Sequence, residues 1–392
     1  MQSYRLSDLV KIKNGKDHKM LSNGKYPVLG SGGIMRYVDR FLYNKPSVLL
    51  PRKGTLDNIQ YCDVPFWTVD TLYYTEVNTN LANPYYLYRY LSLLDLSNLD
   101  SGTGVPSMTF DNYYGLKIFL PNIEKQTKIA QILQTLDKKI TINRQINQNL
   151  EAMAKQLYDY WFVQFDFPDE NGRPYKSSGG EMVWNEKLKR EIPKGWQASN
   201  VCSIADILSG GTPSKQEPMF WNNGTIPFFG PTDYSGSIFQ IETAENITAK
   251  GLSRCASSLF DVGTIIITAR GSIGKMVIVG TPMAMNQSCY ALKSRNNEFE
   301  YLFFLTAQLI ECLKAKGSGS TFKSIISSDI EQSTLCIAPQ SFITQFGLVV
   351  KPIFEKIKDN SFEIATLTKQ RDELLPLLMN GQVSVNSDLS HD

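Results

Sequence analysis

Residues 129–161 read IAQILQTLDKKITINRQINQNLEAMAKQLYDYW, and mostly apolar or amide side chains recur in them at alternating intervals of four and three residues. Such spacing is typical of the seam along which two helices of a coiled coil pack. A continuous helix over these 33 residues would be about 48 Å long at 1.5 Å per residue. The seam positions are Ile129, Leu133, Leu136, Ile140, Asn143, Asn147, Leu150, Ala154, Leu157 and Trp161.

The same pattern returns in the second half of the chain, where Asn360 is equivalent to Asn143. We call the constant shift in number from Asn143 to Asn360 the repeat offset. An asparagine in a seam costs stability and specifies register, so we expect a buried Asn143–Asn360 pair, with surface or capping asparagines as the alternative. Pro352 and Pro376 predict kinks in the second helix or a late start. The second seam consists of Phe346, Val350, Ile353, Ile357, Asn360, Ile364, Leu367, Arg371, Leu374 and Leu378.

Separate regions of the chain share this internal repeat. At the repeat offset residues 49–56 align with 266–273, and with small gaps residues 26–30 align with 226–230 and residues 102–104 with 317–319. The chain is therefore interpreted as a tandem duplication, each half being a β-rich module followed by one long helix. Alternation of β-branched and aromatic runs with turn residues predicts strands at residues 47–50, 67–77, 264–268 and 276–279.

The predicted fold class is α+β. Two tandem β-rich domains are joined by two long antiparallel coiled-coil helices with an internal pseudo-two-fold repeat. Such an arrangement would put one module at each end of the helix pair, and two recognition units about 34 Å apart can address one face of duplex DNA. The predicted segments are a first module 1–122, a first helix 123–163, a turn-rich linker 164–195, a second module 196–338, a second helix 339–382 and a tail 383–392.

Composition argues against catalysis and against membrane insertion. Forty Lys and Arg residues against 38 Asp and Glu give a net charge of +2, so any basic surface must be local. Two histidines and six scattered cysteines without a C-x-x-C pair leave little material for a hydrolytic triad or a metal site, and none is predicted. No run of about 18 apolar residues is present, and the first 16 residues carry lysines where a secretory signal needs an apolar core, so we expect a cytoplasmic protein.

Three short motifs look like parts of catalytic sites but are incomplete. Residues 83–86 (NPYY) lack the second proline of the loop that holds a flipped adenine, and we expect them to start a helix. Residues 271–276 (GSIGKM) lack the first glycine and the final Ser or Thr of a phosphate loop. Asp137 begins a D-x-K fragment that we expect on a solvated helix face. Phe220 and Trp221 are predicted to be core residues rather than base-stacking groups.

Two repeat-equivalent cations, Lys53 and Arg270, lie beside Gly-Thr and Gly-Ser turns at predicted strand ends. Arginine can bond a guanine edge bidentately, whereas lysine suits a phosphate contact. Polar glycine-containing loops in each module could bind phosphate through backbone N–H groups. Surface ion pairs and ordinary flexible loops are the alternatives. The predicted DNA-binding residues are Arg52, Lys53, Thr55, Ser101, Thr103, Ser107, Arg270, Ser272, Lys275, Ser318, Ser320, Thr321 and Lys323.

Over nearly its whole length the chain resembles the specificity subunit of type I restriction-modification systems. In the second module the resemblance rests on SGGTPS at 209–214, IPF at 226–228, ITAKGL at 247–252 and ARGSIGK at 269–275. In the first module YPVLGSGG at 26–33 and RKGT at 52–55 are similar to another variant of the same domain. Outside the modules it rests on WFV at 161–163, IPKGW at 192–196 and RDELLPLL at 371–378.

This resemblance implies a non-catalytic subunit that reads a bipartite, asymmetric double-stranded DNA target. It also implies partners: two modification subunits that methylate adenine with S-adenosylmethionine, and ATP-dependent restriction subunits. S-adenosylmethionine, ATP and magnesium would then belong to the partners, and this chain would bind none of them. The alternative from another class is a coiled-coil adaptor whose β modules bind protein rather than DNA.

Overall fold

The computed structural model describes residues 1–54, 56–96, 99, 106–316 and 324–383. The chain forms two compact units, one of Met1–Lys139 with Leu367–Asp392 and the other of Ile140–Thr366. Each unit contains one β-rich module together with a stretch of each of two long helices.

The first module consists of short strands that form three sheets. Their orders are β2-β8-β5-β6, β4-β3-β7 and β1-β9. In chain order the elements are β1 (Gln2–Arg5), α1 (Leu6–Leu9), β2 (Val10–Lys13), β3 (Asn23–Gly30), β4 (Gly33–Val38), β5 (Ser47–Pro51), β6 (Gln60–Cys62), β7 (Trp67–Thr68), β8 (Leu72–Val77), α2 (Pro84–Leu91), α3 (Phe110–Tyr114) and β9 (Lys117–Leu120).

A long helix, α4 (Ile123–Tyr158), follows the first module and ends in a π-helical turn, Asp159–Val163. The linker after it contains a hairpin of β10 (Met182–Asn185) and β11 (Arg190–Pro193). This hairpin lies before the second module, in the stretch that the sequence predicts to be rich in turns.

The second module also contains three sheets, and the largest has one strand more than its counterpart in the first module. Their orders are β13-β20-β17-β18-β15, β16-β14-β19 and β12-β21. In chain order the elements are β12 (Gln197–Ser199), β13 (Ala205–Ser209), β14 (Ile226–Phe229), β15 (Phe239–Gln240), β16 (Asn246–Ile247), α5 (Ala249–Ser253), β17 (Ile265–Thr268), β18 (Met276–Val279), β19 (Ala284–Met285), β20 (Cys289–Ser294), α6 (Phe299–Lys316), α7 (Ser327–Gln332) and β21 (Leu335–Ile337). The second long helix is α8 (Gln340–Met379).

The duplication is visible in the strand register. Leu49 of β5 pairs with Tyr74 of β8, and Ile266 of β17 pairs with Ala291 of β20, so the repeat offset relates both members of one pair to those of the other. The same offset relates Ile123, the first residue of α4, to Gln340, the first residue of α8. The tandem repeat predicted from the sequence is therefore confirmed as two copies of one fold.

Strand β5 of the first module is buried on both faces, which explains why its sequence, SVLLP, is almost entirely apolar. Val48 and Leu50 pack in one core with Tyr86 of α2, whereas Leu49 packs on the other side with Phe66. Strand β17, with the sequence IIIT, is likewise buried and contributes to two cores. Strands β5 and β17 therefore form because both of their faces are covered by the rest of the module. The strand predicted at residues 67–77 is instead two strands, Trp67–Thr68 and Leu72–Val77.

The second long helix is continuous through both of its prolines. Residues 340–379 are all helical, so the late start expected from Pro352 is wrong. Pro352 lacks the N–H that would donate a helix hydrogen bond, and it is exposed. The burial of Val350, Phe354 and Ile357 around it stabilises the helix enough to offset this loss. Packing therefore overrides the local preference of the sequence.

In the second unit the two long helices run antiparallel. Asn360 on α8 donates a hydrogen bond to Asn147 on α4 (2.8 Å), and Asn143, one turn earlier on α4, donates to Glu363, about one turn later on α8 (2.8 Å). The expected pairing of Asn143 with Asn360 is therefore wrong. In an antiparallel pair the two helices run in opposite directions, so a residue of α4 and its equivalent on α8 at the repeat offset do not face one another.

The predicted seam positions lie on the inner side of the helices. Ile140, Asn143, Ile357, Asn360 and Leu367 are buried. Ile129, Leu133, Asn147, Ala154, Trp161, Phe346, Val350 and Leu378 are also buried, and the other seven positions are partly buried: Leu136, Leu150, Leu157, Ile353, Ile364, Arg371 and Leu374.

Candidate nucleic-acid interface

The turn that follows β5 is built in the same way as the turn that follows β17. The backbone N–H groups of Arg52 and Lys53 both point at the carbonyl oxygen of Thr71 (2.9 and 3.4 Å). At the positions related by the repeat offset, the N–H groups of Ala269 and Arg270 point at the carbonyl oxygen of Ser288 (2.8 and 3.2 Å). The two modules therefore hold Lys53 and Arg270 at equivalent points, and we call these segments, residues 52–54 and 269–271, the reading turns.

Each reading turn ends in a glycine with a left-handed backbone. Gly54 has φ of +91° and Gly271 has φ of +76°. Residues with a Cβ atom adopt this conformation at a steric cost, so glycine makes the tight reversal possible. The reversal leaves the preceding Lys53 and Arg270 side chains exposed to solvent.

A second segment of each module closes the turn from the other side. The N–H of Met108 donates to the carbonyl oxygen of Arg52 (3.0 Å), and the N–H of Ile325 donates to that of Ala269 (2.9 Å). Lys53 and Ser107 form a backbone bridge, so two predicted site residues are brought together. The other predicted loop residues lie outside the described residues; these are Thr55, Ser101, Thr103, Ser318, Ser320, Thr321 and Lys323.

The remaining predicted side chains differ in how freely they are presented. Arg52 is partly buried, with Nη1 3.4 Å from the carbonyl oxygen of Asp70 and the guanidinium 5.9 Å from the ring centroid of Tyr73. Lys275 is exposed, with its ammonium 5.3 Å from the ring centroid of Tyr234. Ser272 is exposed within the turn. Arg52 is therefore held against its own module, whereas Lys53 and Arg270 are the better placed for an external ligand.

Two glycines that were not selected from the sequence help to build this end of each module. A side chain at Gly15 would place its first carbon 2.0 Å from the carbonyl oxygen of Val69, and one at Gly210 would place it 2.1 Å from that of Asn286. The repeat offset again relates these two carbonyl oxygens. Only a residue without a Cβ lets the loops after β2 and β13 approach so closely.

The tip of the β3–β4 hairpin adjoins the first reading turn. The side-chain amide of Asn58 donates to the carbonyl oxygen of Ser31 (2.5 Å), and that of Gln60 donates to the carbonyl oxygen of Gly30 (2.9 Å). These bonds tie the hairpin to the segment after the reading turn. Ile34 and Met35 on the hairpin remain 57% and 59% exposed.

The incomplete motifs have structural roles. The side chain of Asn83 accepts hydrogen bonds from the N–H groups of Tyr85 and Tyr86, which confirms the predicted helix start. Trp221 packs against Phe228, and the ammonium of Lys215 lies 3.6 Å from its ring centroid. Phe220 and Trp221 are both partly buried, so neither of the two predicted core residues is fully enclosed. Among the described residues no group of His, Cys, Asp and Glu could hold a metal ion.

The expectation that Asp137 lies on a solvated helix face is wrong. Its carboxylate accepts hydrogen bonds from Tyr85 and Arg89 of α2 and from Arg371 of α8 (3.0 Å for Arg371). Burial alone would raise the pKa of Asp137, but the Tyr85 hydroxyl and the two guanidinium groups outweigh it and lower the pKa. Asp137 therefore ties the first module to both long helices within the first unit.

Two repeated β-rich modules, each presenting an exposed cation on a glycine turn, and two long helices define a two-module recognition protein. Across the described part of the chain, no helix is long and apolar enough to cross a membrane.

The family model described as Type I restriction modification DNA specificity domain matches residues 1–152 and 193–345, and each match contains one module. The type I restriction enzyme MjaIX specificity subunit of Methanocaldococcus jannaschii is 30% identical over 311 residues, covering 77% of this chain and 68% of that protein. The HindI specificity subunit of Haemophilus influenzae is 27% identical over 368 residues, covering 79% of each. The chain therefore belongs to the family of type I restriction-modification DNA specificity subunits.

A solved structure shares this fold. The crystal structure of the S subunit of a type I restriction-modification system from M. genitalium superposes with a TM-score of 0.62 at 18% identity, over 96% of this chain and 95% of that one.

Proposed function

We propose that this chain reads a bipartite, asymmetric double-stranded DNA target, one half with each module, as the non-catalytic specificity subunit of a type I restriction-modification complex. The observation that carries the proposal is the pair of reading turns. Their backbones are held by equivalent hydrogen bonds, yet one presents Lys53 and the other Arg270. Equivalent scaffolds with different side chains are what two different half-sites require.

The two cations suit different contacts. The planar guanidinium of Arg270 can donate two hydrogen bonds to the N7 and O6 atoms of a guanine, or it can contact a phosphate. The Lys53 ammonium is a compact point charge and is more suited to a phosphate oxygen. Ser107, Ser272 and Lys275, close to these turns in the fold or in the chain, would add further contacts.

The long helices are proposed to dock two methyltransferase subunits, which in turn bind S-adenosylmethionine, and to recruit the restriction subunits with their ATP and magnesium. Exposed apolar side chains support this role. Ile142, Ile146 and Met153 of α4 are 53%, 37% and 46% exposed, and their spacing puts them on one face of the helix. A helix of a partner subunit would cover that face. The DNA target implies a cytoplasmic location.

The test is to express the methyltransferase partner with and without this chain in a host that lacks adenine methylation, and to map methylated adenines across the genome. We expect methylation of one asymmetric motif with two defined halves and an undefined spacer, only when this chain is present. A continuous motif, or methylation independent of the chain, would contradict the proposal. A chain that binds the methyltransferase but adds no DNA affinity would favour the protein adaptor.

A further inference from the structure

Equivalent segments of the two modules differ widely in charge. Residues 11–53 contain ten Lys and Arg residues and two Asp residues, a net charge of +8. Residues 206–270 contain four Lys and Arg residues and six Asp and Glu residues, a net charge of −2. The segments correspond in the fold, because Lys11 pairs with Glu76 in β8 and Asp206 pairs with Lys293, the repeat equivalent of Glu76, in β20.

Most of the cations of the first segment are available for an external anion. Within the described residues, ion pairs occupy Lys13, with Glu76, and Arg40, with Asp39, both at a long 3.8 Å. The others that are exposed are Lys11, Lys16, Lys19, Lys25, Lys45 and Lys53. In the second segment one of the four cations, Lys215, is bound by the Glu245 carboxylate, so the two segments differ in the number of cations rather than in the share that is paired.

One of these cations, Lys16, lies close to the first reading turn. The N–H of Lys16 donates to the carbonyl oxygen of Thr68 (2.8 Å), and the N–H of Lys53 points at that of Thr71, so the two residues flank one short loop. The Arg36 guanidinium donates to the carbonyl oxygen of Leu21 (2.9 Å) and ties strand β4 to the loop that carries Lys16. The acidic residues of the segment are Asp17 and Asp39, and Asp57 and Asp70 lie close to it in the sequence.

We propose that the first module is the electrostatic anchor of the pair. Its segment 11–53 makes most of the phosphate contacts, whereas the second module adds mainly contacts to base edges. This inference rests on the proposed function, because it assigns the two modules different shares of one DNA-binding free energy. A phosphate neutralised by a cation releases condensed counterions, so the anchoring module must carry most of the salt dependence.

The experiment measures binding of the full chain to a duplex of fixed length and arbitrary sequence, by fluorescence anisotropy at several salt concentrations. The variant Lys16→Gln/Lys19→Gln removes two charges from the first module. The matched control Lys250→Gln/Arg254→Gln removes two exposed charges from the second module, outside the predicted contacts. Circular dichroism and the thermal midpoint check that both variants remain folded.

We expect the slope of log affinity against log salt to fall by about two units in the first-module variant, at about 0.9 per lost phosphate contact, and by less than half a unit in the control. Equal changes in the two variants, or a larger change in the control, would overturn the inference and leave the proposed function intact. No salt-dependent DNA binding by the unaltered chain would contradict the proposed function and the inference together.

Discussion

The carboxylate of Asp137 on α4 accepts a hydrogen bond from the guanidinium of Arg371 on α8 at 3.0 Å. The same carboxylate binds Tyr85 and Arg89 of the first module, so a single acidic group bridges the guanidinium groups of the buried Arg89 and the partly buried Arg371, which also pairs with Asp372. The position at which the module meets the helices is thus fixed by charge as well as by apolar packing.

Replacing Asp137 with alanine is expected to destabilise the protein by about 1–3 kcal/mol, because the buried Arg89 loses its ionic partner and Arg371 loses one of its two carboxylate partners. Chemical denaturation followed by circular dichroism measures this change. The control is Lys138→Ala at the exposed neighbouring position, which should change the free energy of unfolding by no more than about 0.5 kcal/mol. Equal effects of the two substitutions would show that the Asp137 contacts contribute no net stability.

Stability should depend on pH through Glu151 of α4. Burial raises the pKa of this carboxyl to about 7, although a hydrogen bond from the backbone of Ile238 opposes the shift. A raised pKa favours the protonated form in the folded state, so the stability it contributes is complete below the ordinary pKa of 4.5 and is lost as pH rises through about 7.

As the pH rises from 4.5 to 8, the free energy of unfolding of Glu151→Gln should therefore increase relative to that of the unaltered protein by about 2–3 kcal/mol. Urea unfolding curves for the two proteins across this range measure the difference. If the free energies of unfolding of the two proteins changed with pH in parallel, Glu151 would ionise in the folded protein as it does in the unfolded chain.

Arg270 is the residue to replace first in the second module. If its guanidinium contacts a guanine edge, Arg270→Ala should cost about 1–3 kcal/mol and relax selectivity at one position of one half-site. If it contacts phosphate, affinity should fall evenly across sequences and the salt slope should drop by about one unit. Titrations on cognate and single-substituted duplexes, with the methyltransferase partner bound, distinguish the two results.

Lys53→Ala is the matched change in the first module, where we expect the phosphate result because the ammonium is a point charge. Unchanged affinity, selectivity and salt slope in Arg270→Ala would remove this residue from the interface.

The long helices are expected to set the distance between the two half-sites. Four residues inserted after Gln148 add about one helical turn, roughly 6 Å, and shift the register of the seam beside the Asn147–Asn360 hydrogen bond. The spacer of the methylated motif should lengthen or methylation should collapse. An insertion variant that methylates the original motif at the original rate would show that the helices do not determine the spacing.

The sequence predicts the features that repeat or alternate, because these depend on local patterns. The strands at residues 47–50 and 264–268 and the duplication itself are of this kind. The partners of Asp137 could not be predicted, because Arg89 and Arg371 lie 48 and 234 residues away along the chain. The prediction that Asn360 pairs with its repeat equivalent Asn143 was wrong, because equivalent positions of antiparallel helices do not face each other.

The candidate interface was predictable only in part. Lys53 and Arg270 were selected because each stands beside a glycine at a strand end, and these are the residues whose backbones the structure holds in equivalent turns. Gly15 and Gly210 were missed because their role depends on the carbonyl oxygens of Val69 and Asn286, which are distant from them in the sequence. A glycine reveals such a close approach only when its neighbour in space is known.

An exchange of modules shows whether each module reads its own half of the target. Residues 1–122 are replaced with the corresponding module of another family member, and methylated adenines are mapped across the genome with the partner methyltransferase present. One half of the bipartite motif should change to that of the donor, and the other half should stay as it was. A change in both halves, or in neither, would show that the two modules do not read separate halves of the target.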